Sequence, residues 1–240
     1  MAVTTVTETG RPLRGGLRPM DPVQDLKAIA DLIAEAFADE MDERGRAALR
    51  EMRWMGRLSP LIWWWSRADP AFQDTFNGFV WEEVSPQGKM EIVGNVSLNR
   101  APGNRQRWII CNVVVQEAFR RRGIARRLTE AAIAEARHLG AGGVILQVYQ
   151  NNLPALRLYS DLGFREATGE TYLRLGTVRE VRPRDLPDYQ IRPWRPADGL
   201  SVYELAQSVT PPVLRWINPL RPERYRPDWW TRQAERLANP

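Results

Sequence analysis

The stretch VVVQEAFRRRGIARRL, Val113 to Leu128, constrains the chain most, because an apolar β-branched run passes through a short turn into an arginine-rich helix start. A helix N-terminus leaves backbone N–H groups without intrahelical partners and carries about half a positive charge. A strand delivering the chain to such a terminus therefore builds a phosphate cradle. Gly123 and Ala125 keep bulk away from the backbone between Arg121 and Arg126, so a ligand can approach closely. Arg120, Arg121, Arg122, Arg126 and Arg127 add guanidinium groups, which pair with phosphate as forks. A nucleotide-hydrolysing loop would need Lys followed by Ser or Thr after its glycines, and a dinucleotide fingerprint would need three glycines. Neither is present.

Arg120, Gly123 and Ala125 fall on the pattern of Arg or Gln, two residues, Gly, one residue, then Gly or Ala. Further on, NNLPALRLYSDLGF places Asn152, Ala155, Leu158, Tyr159, Leu162, Gly163 and Phe164 on a second pattern of Asn, Ala, Leu-Tyr and Leu-Gly-Phe. Both segments, in this order, resemble the Gcn5-related N-acetyltransferase family. The resemblance implies an α+β fold with a mixed central sheet, antiparallel strands followed by a strand-helix-strand unit, and helices on both faces. It implies acetyl-coenzyme A as cosubstrate, with no metal. Val113, Val114 and Val115 would then offer main-chain groups to the pantetheine arm, as an added strand would find them. Arg120, Arg121, Arg122, Gly123, Ile124, Ala125 and Arg126 would take the pyrophosphate, and Asn152 would reach the pantetheine or phosphate end. Tyr159 matches the tyrosine that faces the thioester sulfur and assists its departure.

The chain of 240 residues can hold one ample core or one domain and part of another. No apolar run approaches the roughly 18 residues that span a bilayer, and the polar start lacks the apolar centre of a secretory signal. A cytoplasmic protein without a membrane span is expected. Cys111 is the one cysteine and His138 the one histidine, which argues against a disulfide, a zinc site and a histidine-based triad. The net charge of +5 is carried by arginine, since Lys27 and Lys89 are the only lysines. Outside Arg120 to Arg127 the arginines are dispersed among acids, which argues against a nucleic-acid partner.

Residues 1–16 lack apolar periodicity and read as a disordered lead. A short strand at Leu17 and a helix with Leu26, Ile29, Ile33 and Phe37 on one face follow. A helical pattern from Glu43 gives way at Pro60 to Trp63, Trp64 and Trp65, which suit core packing under a loop, an apolar acceptor pocket or a membrane interface. The segments DTFNGFVWEE, KMEIVGNVSLNR and RWIICNVVV read as an antiparallel meander. Ile124, Leu128, Ala132, Ala136 and Leu139 form the stripe of a helix that stops at Gly140, and GVILQVYQ reads as a buried strand parallel to the one before the helix. A short helix ends at Gly163, and a hairpin turning at Gly169 closes a domain over 17–176. A linker at 177–190 follows. IRPWRPADGL at Ile191 echoes LRPMDPVQDL at Leu17, so 191–240 is a C-terminal extension or the start of a second such domain, which would make the chain the N-terminal part of a tandem acetyltransferase.

The expected activity is transfer of acetyl from acetyl-coenzyme A to the primary amine of a small molecule or peptide by direct attack. The alternative is a catalytically weak acetyl-coenzyme A sensor. Where relatives carry a carboxylate before the phosphate loop, this chain has Cys111 and Asn112. Glu82, Glu83 and Glu91 lie on nearby strands, either as bases acting directly or through water or as solvent-facing charges. The oligomeric state stays open.

Overall fold

A computed structural model describes residues 15–38, 41, 43–55, 77–85, 87–101, 106–169, 191–217 and 219–225. The chain forms two compact units, Met1–Phe164 and Arg165–Pro240. Trp63, Trp64, Trp65, the linker at 177–190, most of the expected lead and the second half of the closing hairpin lie outside the described residues.

In the first unit the described elements run β1 (Gly16–Pro19), α1 (Leu26–Ala36), α2 (Glu43–Met55), β2 (Asn77–Val84), β3 (Met90–Arg100), β4 (Arg107–Val115), α3 (Ile124–His138), β5 (Gly143–Leu146) and α4 (Leu153–Asp161). The sheet order is β1-β2-β3-β4-β5. The first four strands pair antiparallel, and β5 joins β4 in parallel after the α3 crossover. The α+β architecture is the expected one, with a shorter last strand: β5 stops at Leu146, and its residues are half-buried. Phe164 to Gly169, where a strand was expected, has no regular structure.

Each face of the sheet has its own core. Ile124, Leu128, Ala132 and Ala136 of α3 pack on Val96, Leu98, Trp108 and Ile110. These helix positions recur every four residues, which sets them in one stripe. Gly94 of β3 lies beneath that stripe: a Cβ there would stand 3.0 Å from Leu128 Cδ1 and 3.1 Å from Ile124 Cγ2, so the close approach of α3 depends on glycine. On the opposite face Ile29, Ala30, Leu32 and Ile33 of α1, with Leu49 of α2, pack on Val80 and Val114. Arg53 Nε donates to Asp31 Oδ1 at 2.7 Å and ties α2 to α1.

The start of the unit is clamped by a charged fork. Arg18 Nη1 and Nη2 donate to Asp25 Oδ2 and Oδ1 at 2.6 and 2.8 Å, and Nη2 also reaches Glu82 Oε1 at 2.6 Å. Asp25 accepts in addition from the Asp21 N–H at 2.7 Å, directly before α1.

The second unit, taken by itself, has the same device directly before its first described α-helix. Arg192 Nη1 and Nη2 donate to Asp198 Oδ2 and Oδ1, both at 2.7 Å, and Asp198 Oδ2 accepts from the Arg195 N–H at 2.8 Å. The helix α5 (Gly199–Val209) follows at once and has 11 residues, as α1 has. Even the secondary bonds correspond: Arg18 Nη1 to the Pro19 carbonyl and Arg192 Nη1 to the Pro193 carbonyl are both 3.1 Å. A short helix α6 (Pro212–Ile217) and a 3₁₀ turn at Pro222–Tyr225 complete the described part. Among the described residues no helix is long and apolar enough to cross a membrane.

Candidate acetyl-coenzyme A site

β4 is paired with β3 along most of its length and with β5 only in part. Against β5 the register runs from Arg107↔Gly143 to Ile110↔Leu146 and stops there. From Cys111 to Val115 that edge has no strand partner among the described residues. The departure coincides with a bulge: Asn95 is opposite Val114 and Ser97 opposite Cys111, so β4 spends one residue more than β3. Asn112 takes the left-handed conformation with φ 52°. The free edge is where Val113, Val114 and Val115 were expected to offer main-chain groups. The Val114 side chain is buried against α1, while Val113 and Val115 are half-buried towards α3.

After Val115 the chain makes a 3₁₀ turn at Glu117–Phe119 and enters α3 through two left-handed residues, Arg121 with φ 65° and Gly123 with φ 78°. A Cβ at Gly123 would meet no atom within 4 Å, so backbone conformation rather than crowding calls for glycine. Arg127 is the first to close a bond to the helix cap, from its N–H to the Gly123 carbonyl at 3.1 Å. No acidic residue stands in the first turn of α3 to neutralise the N–H groups before it. The Ile124 side chain is buried in the core, so its contribution to a ligand is limited to the main chain.

The arginines divide by task. Arg120 Nε donates to the Val115 carbonyl at 3.1 Å and fastens the turn to the end of β4. Arg122 Nη2 donates to the Ala118 carbonyl at 3.2 Å, with its guanidinium 4.9 Å from the Phe119 ring centroid. Arg127 lies 5.9 Å over the Trp81 ring. Arg121 and Arg126 instead line a cleft of about 590 Å³, with Leu153, Pro154, Arg157, Leu158 and Asp161 on its other wall. The start of α3, through Arg121 and Arg126, therefore faces α4 across one cleft, and α4 lines it from Leu153 to Asp161. Arg126 Nη2 donates across it to Asp161 Oδ2 at 2.8 Å.

Arg157 was not expected at the site. Leu153, Arg157 and Asp161 are spaced by four along α4 and share one helix face, a signal readable once Asn152 is taken as the helix cap. Asn152 does cap α4: its Oδ1 accepts from the Ala155 N–H at 3.2 Å, and Pro154 occupies the first turn. Tyr159 does not line the cleft. It is buried, 5.9 Å from the Phe164 ring in an edge-on arrangement, and burial pushes its phenol above the usual tyrosine range.

The acidic candidates are placed differently. Glu82 is held by Arg18, and Glu83 Oε1 accepts from Trp81 Nε1 at 2.9 Å. Glu91 is exposed. At the bulge the polar groups are neutral: Asn95, Ser97, Asn99, Cys111 and Asn112. Burial pushes the Cys111 thiol up to about 11, so it carries no negative charge near neutrality. Sequence reasoning missed Asn95, because its neighbours read as an apolar strand and a bulge depends on the partner strand.

Comparison with known proteins shows the family. The acetyltransferase (GNAT) family matches residues 31–164, more than half of the chain. The GCN5-related N-acetyltransferase 4, chloroplastic, of Arabidopsis thaliana is 48% identical over 56 residues, 23% of this chain and 19% of that protein. The mycothiol acetyltransferase of Thermobispora bispora is 31% identical over 166 residues, 66% of this chain and 49% of that protein. The matched part thus spans at most about half the length of these two relatives. A solved acetyltransferase of Trypanosoma brucei superposes with a TM-score of 0.44 at 24% identity, covering 68% of this chain and 100% of that one. The family match ends at Phe164, where the first compact unit also ends and just after the helix that completes the cleft, and the chain belongs to the GNAT family of acetyltransferases.

Proposed function

We propose that the chain is an acetyl-coenzyme A-dependent N-acetyltransferase that passes the acetyl group to a primary amine by direct attack. The gathering of Arg121, Arg126 and Arg157 on one cleft at the start of α3, with the part-paired strand β4 leading into that turn, carries this reading. Arg121, Arg126, Arg157 and the N–H groups from Arg121 to Arg126 hold the pyrophosphate, and Val113 to Val115 receive the pantetheine arm along the strand edge. Acetyl-coenzyme A supplies an activated thioester. The amine nitrogen forms a bond to the carbonyl carbon, the carbon–sulfur bond breaks, the surplus proton on nitrogen passes through water to the departing sulfur, and the developing thiolate is stabilised by hydrogen bonding from Tyr159. A phenol raised by burial is a poor acid towards a thiol of ordinary pKa near 8.5, so Tyr159 supports the leaving sulfur by a hydrogen bond rather than by full proton transfer. Asn152 serves the cap and, through its amide, the cofactor.

The acceptor must arrive neutral, and a lysine-type amine of pKa about 10.4 is neutral only about once in 2,500 molecules at pH 7. No carboxylate stands at Cys111 or Asn112 to remove the proton, which favours an amine of lower pKa, such as an α-amine or an aromatic amine. The same neutral surroundings motivate a second reading, an acetyl-coenzyme A sensor. Calorimetry with acetyl-coenzyme A tests the site: Gly123→Glu is expected to abolish binding, and equal binding by both proteins would sink the loop assignment. Thiol release over a panel of amines separates enzyme from sensor, since a sensor releases no thiol above background with any amine.

The twin forks support reading 191–240 as the opening of a second domain of the same kind, after a lead at 1–16, a domain at 17–176 and a linker at 177–190. A cytoplasmic location belongs to this proposal as well.

A further inference from the structure

Asn95 is fully buried in the middle of β3, beside the core residues Val96 and Leu98. Its Nδ2 donates to the Asn112 carbonyl at 3.0 Å and lies 3.4 Å from Ser97 Oγ, which also accepts from Asn112 Nδ2 at 3.3 Å. Its Oδ1 is buried without a partner. A valine would fill a buried strand position without that orphaned oxygen, so the amide must answer a need elsewhere. The need is at the bulge. Where β4 inserts an extra residue, the ladder is broken, and the inward-facing Asn112 carbonyl would be left without a donor. Asn112 also takes the left-handed conformation, which asparagine tolerates better than most residues and which the bond to its carbonyl helps to hold.

The bulge stands two residues beyond the last β4–β5 pair, at Ile110↔Leu146. Whatever fixes the bulge therefore fixes the direction in which the Val113 to Val115 edge leaves the sheet. We propose that Asn95 is a positioning residue for the acetyl thioester: by pinning the Asn112 carbonyl it sets the bulge and aims the main-chain edge of β4 at the thioester carbonyl. The proposal rests on the acetyl-coenzyme A reading above. Main-chain donors aimed at a carbonyl polarise it only when they are preorganised, and here one side-chain amide supplies the preorganisation.

Binding and carbon-13 resonance spectroscopy test it together. Wild-type protein is first titrated with coenzyme A and with acetyl-coenzyme A; absence of binding would sink the functional reading itself. Asn95→Val is then expected to bind coenzyme A within about threefold of wild type, because neither Asn95 nor any residue of the bulge lines the phosphate cleft. In the same variant the carbonyl resonance of bound [1-¹³C]acetyl-coenzyme A should return towards its free position. A variant that binds acetyl-coenzyme A with the wild-type resonance overturns the proposal, since a merely structural asparagine would lower melting temperature alone. Asn112→Gly keeps both the left-handed turn and the carbonyl that Asn95 holds, and tests the idea even where Asn95→Val does not fold. It should retain the wild-type resonance; its loss would assign the effect to the Asn112 side chain and overturn the clamp.

Discussion

Arg126 and Asp161 show how a single carboxylate tunes a cationic cleft. Their 2.8 Å ion pair is partly exposed on both sides, which limits it to about 0–1 kcal/mol. A phosphate entering the cleft competes with Asp161 for the same guanidinium. Asp161→Asn is therefore expected to tighten acetyl-coenzyme A binding by about two- to fivefold at low salt, with the gain shrinking as salt rises. Calorimetry at two ionic strengths decides, and weaker binding would mean that Asp161 itself serves the cofactor. Cys111 gives a prediction in pH. Its pKa is raised from 9.0 to about 11 by burial, so the folded state favours the neutral thiol. The contribution is fully present below pH 9 and is lost as pH climbs from about 9 to about 11. Over that window the wild type should lose about 2–3 kcal/mol more stability than Cys111→Ala, measured by urea unfolding at each pH. Tyr159 shifts in the same direction but is shared by both proteins, so the difference isolates the thiol.

At the level of elements, α4 carries both a structural and a ligand-facing duty. The Asn152 cap bond predicts that Asn152→Ala costs about 1 kcal/mol in denaturant unfolding. Coenzyme A affinity in the same variant separates the duties: an unchanged value assigns Asn152 to the cap alone. The turn into α3 and the cap of α4 were legible in the sequence because both are local, governed by residues three or four apart. The strand order was legible for a related reason, since β2, β3 and β4 follow one another with short turns. What escaped were features that exist only between elements. The bulge at Asn112 needs the register of β3 against β4, and the truncation of β5 at Leu146 needs the point where β4 turns away. Five arginines read alike along the chain, yet Arg120, Arg122 and Arg127 are occupied by carbonyls and rings, while Arg121 and Arg126, joined by the unexpected Arg157, face the cleft.

At the scale of the whole molecule, both buried cores of the described residues lie in the first unit, so that unit is where cofactor binding should register as stability. Acetyl-coenzyme A at a hundredfold excess over Kd should stabilise it by about 2.7 kcal/mol. Differential scanning calorimetry checks this, and an unmoved transition at saturating cofactor would count against the site. The Arg18 and Arg192 forks have a kinetic meaning as well. Their partners Asp25 and Asp198 lie seven and six residues along the chain, whereas β1 must find β2 across the span from Gly16 to Glu82. Closing a loop of about ten residues takes only about 10–100 ns, far faster than long-range strand pairing. The fork and the helix after it are thus a seed of low contact order, able to form before any sheet exists to receive it, and the chain carries that seed twice.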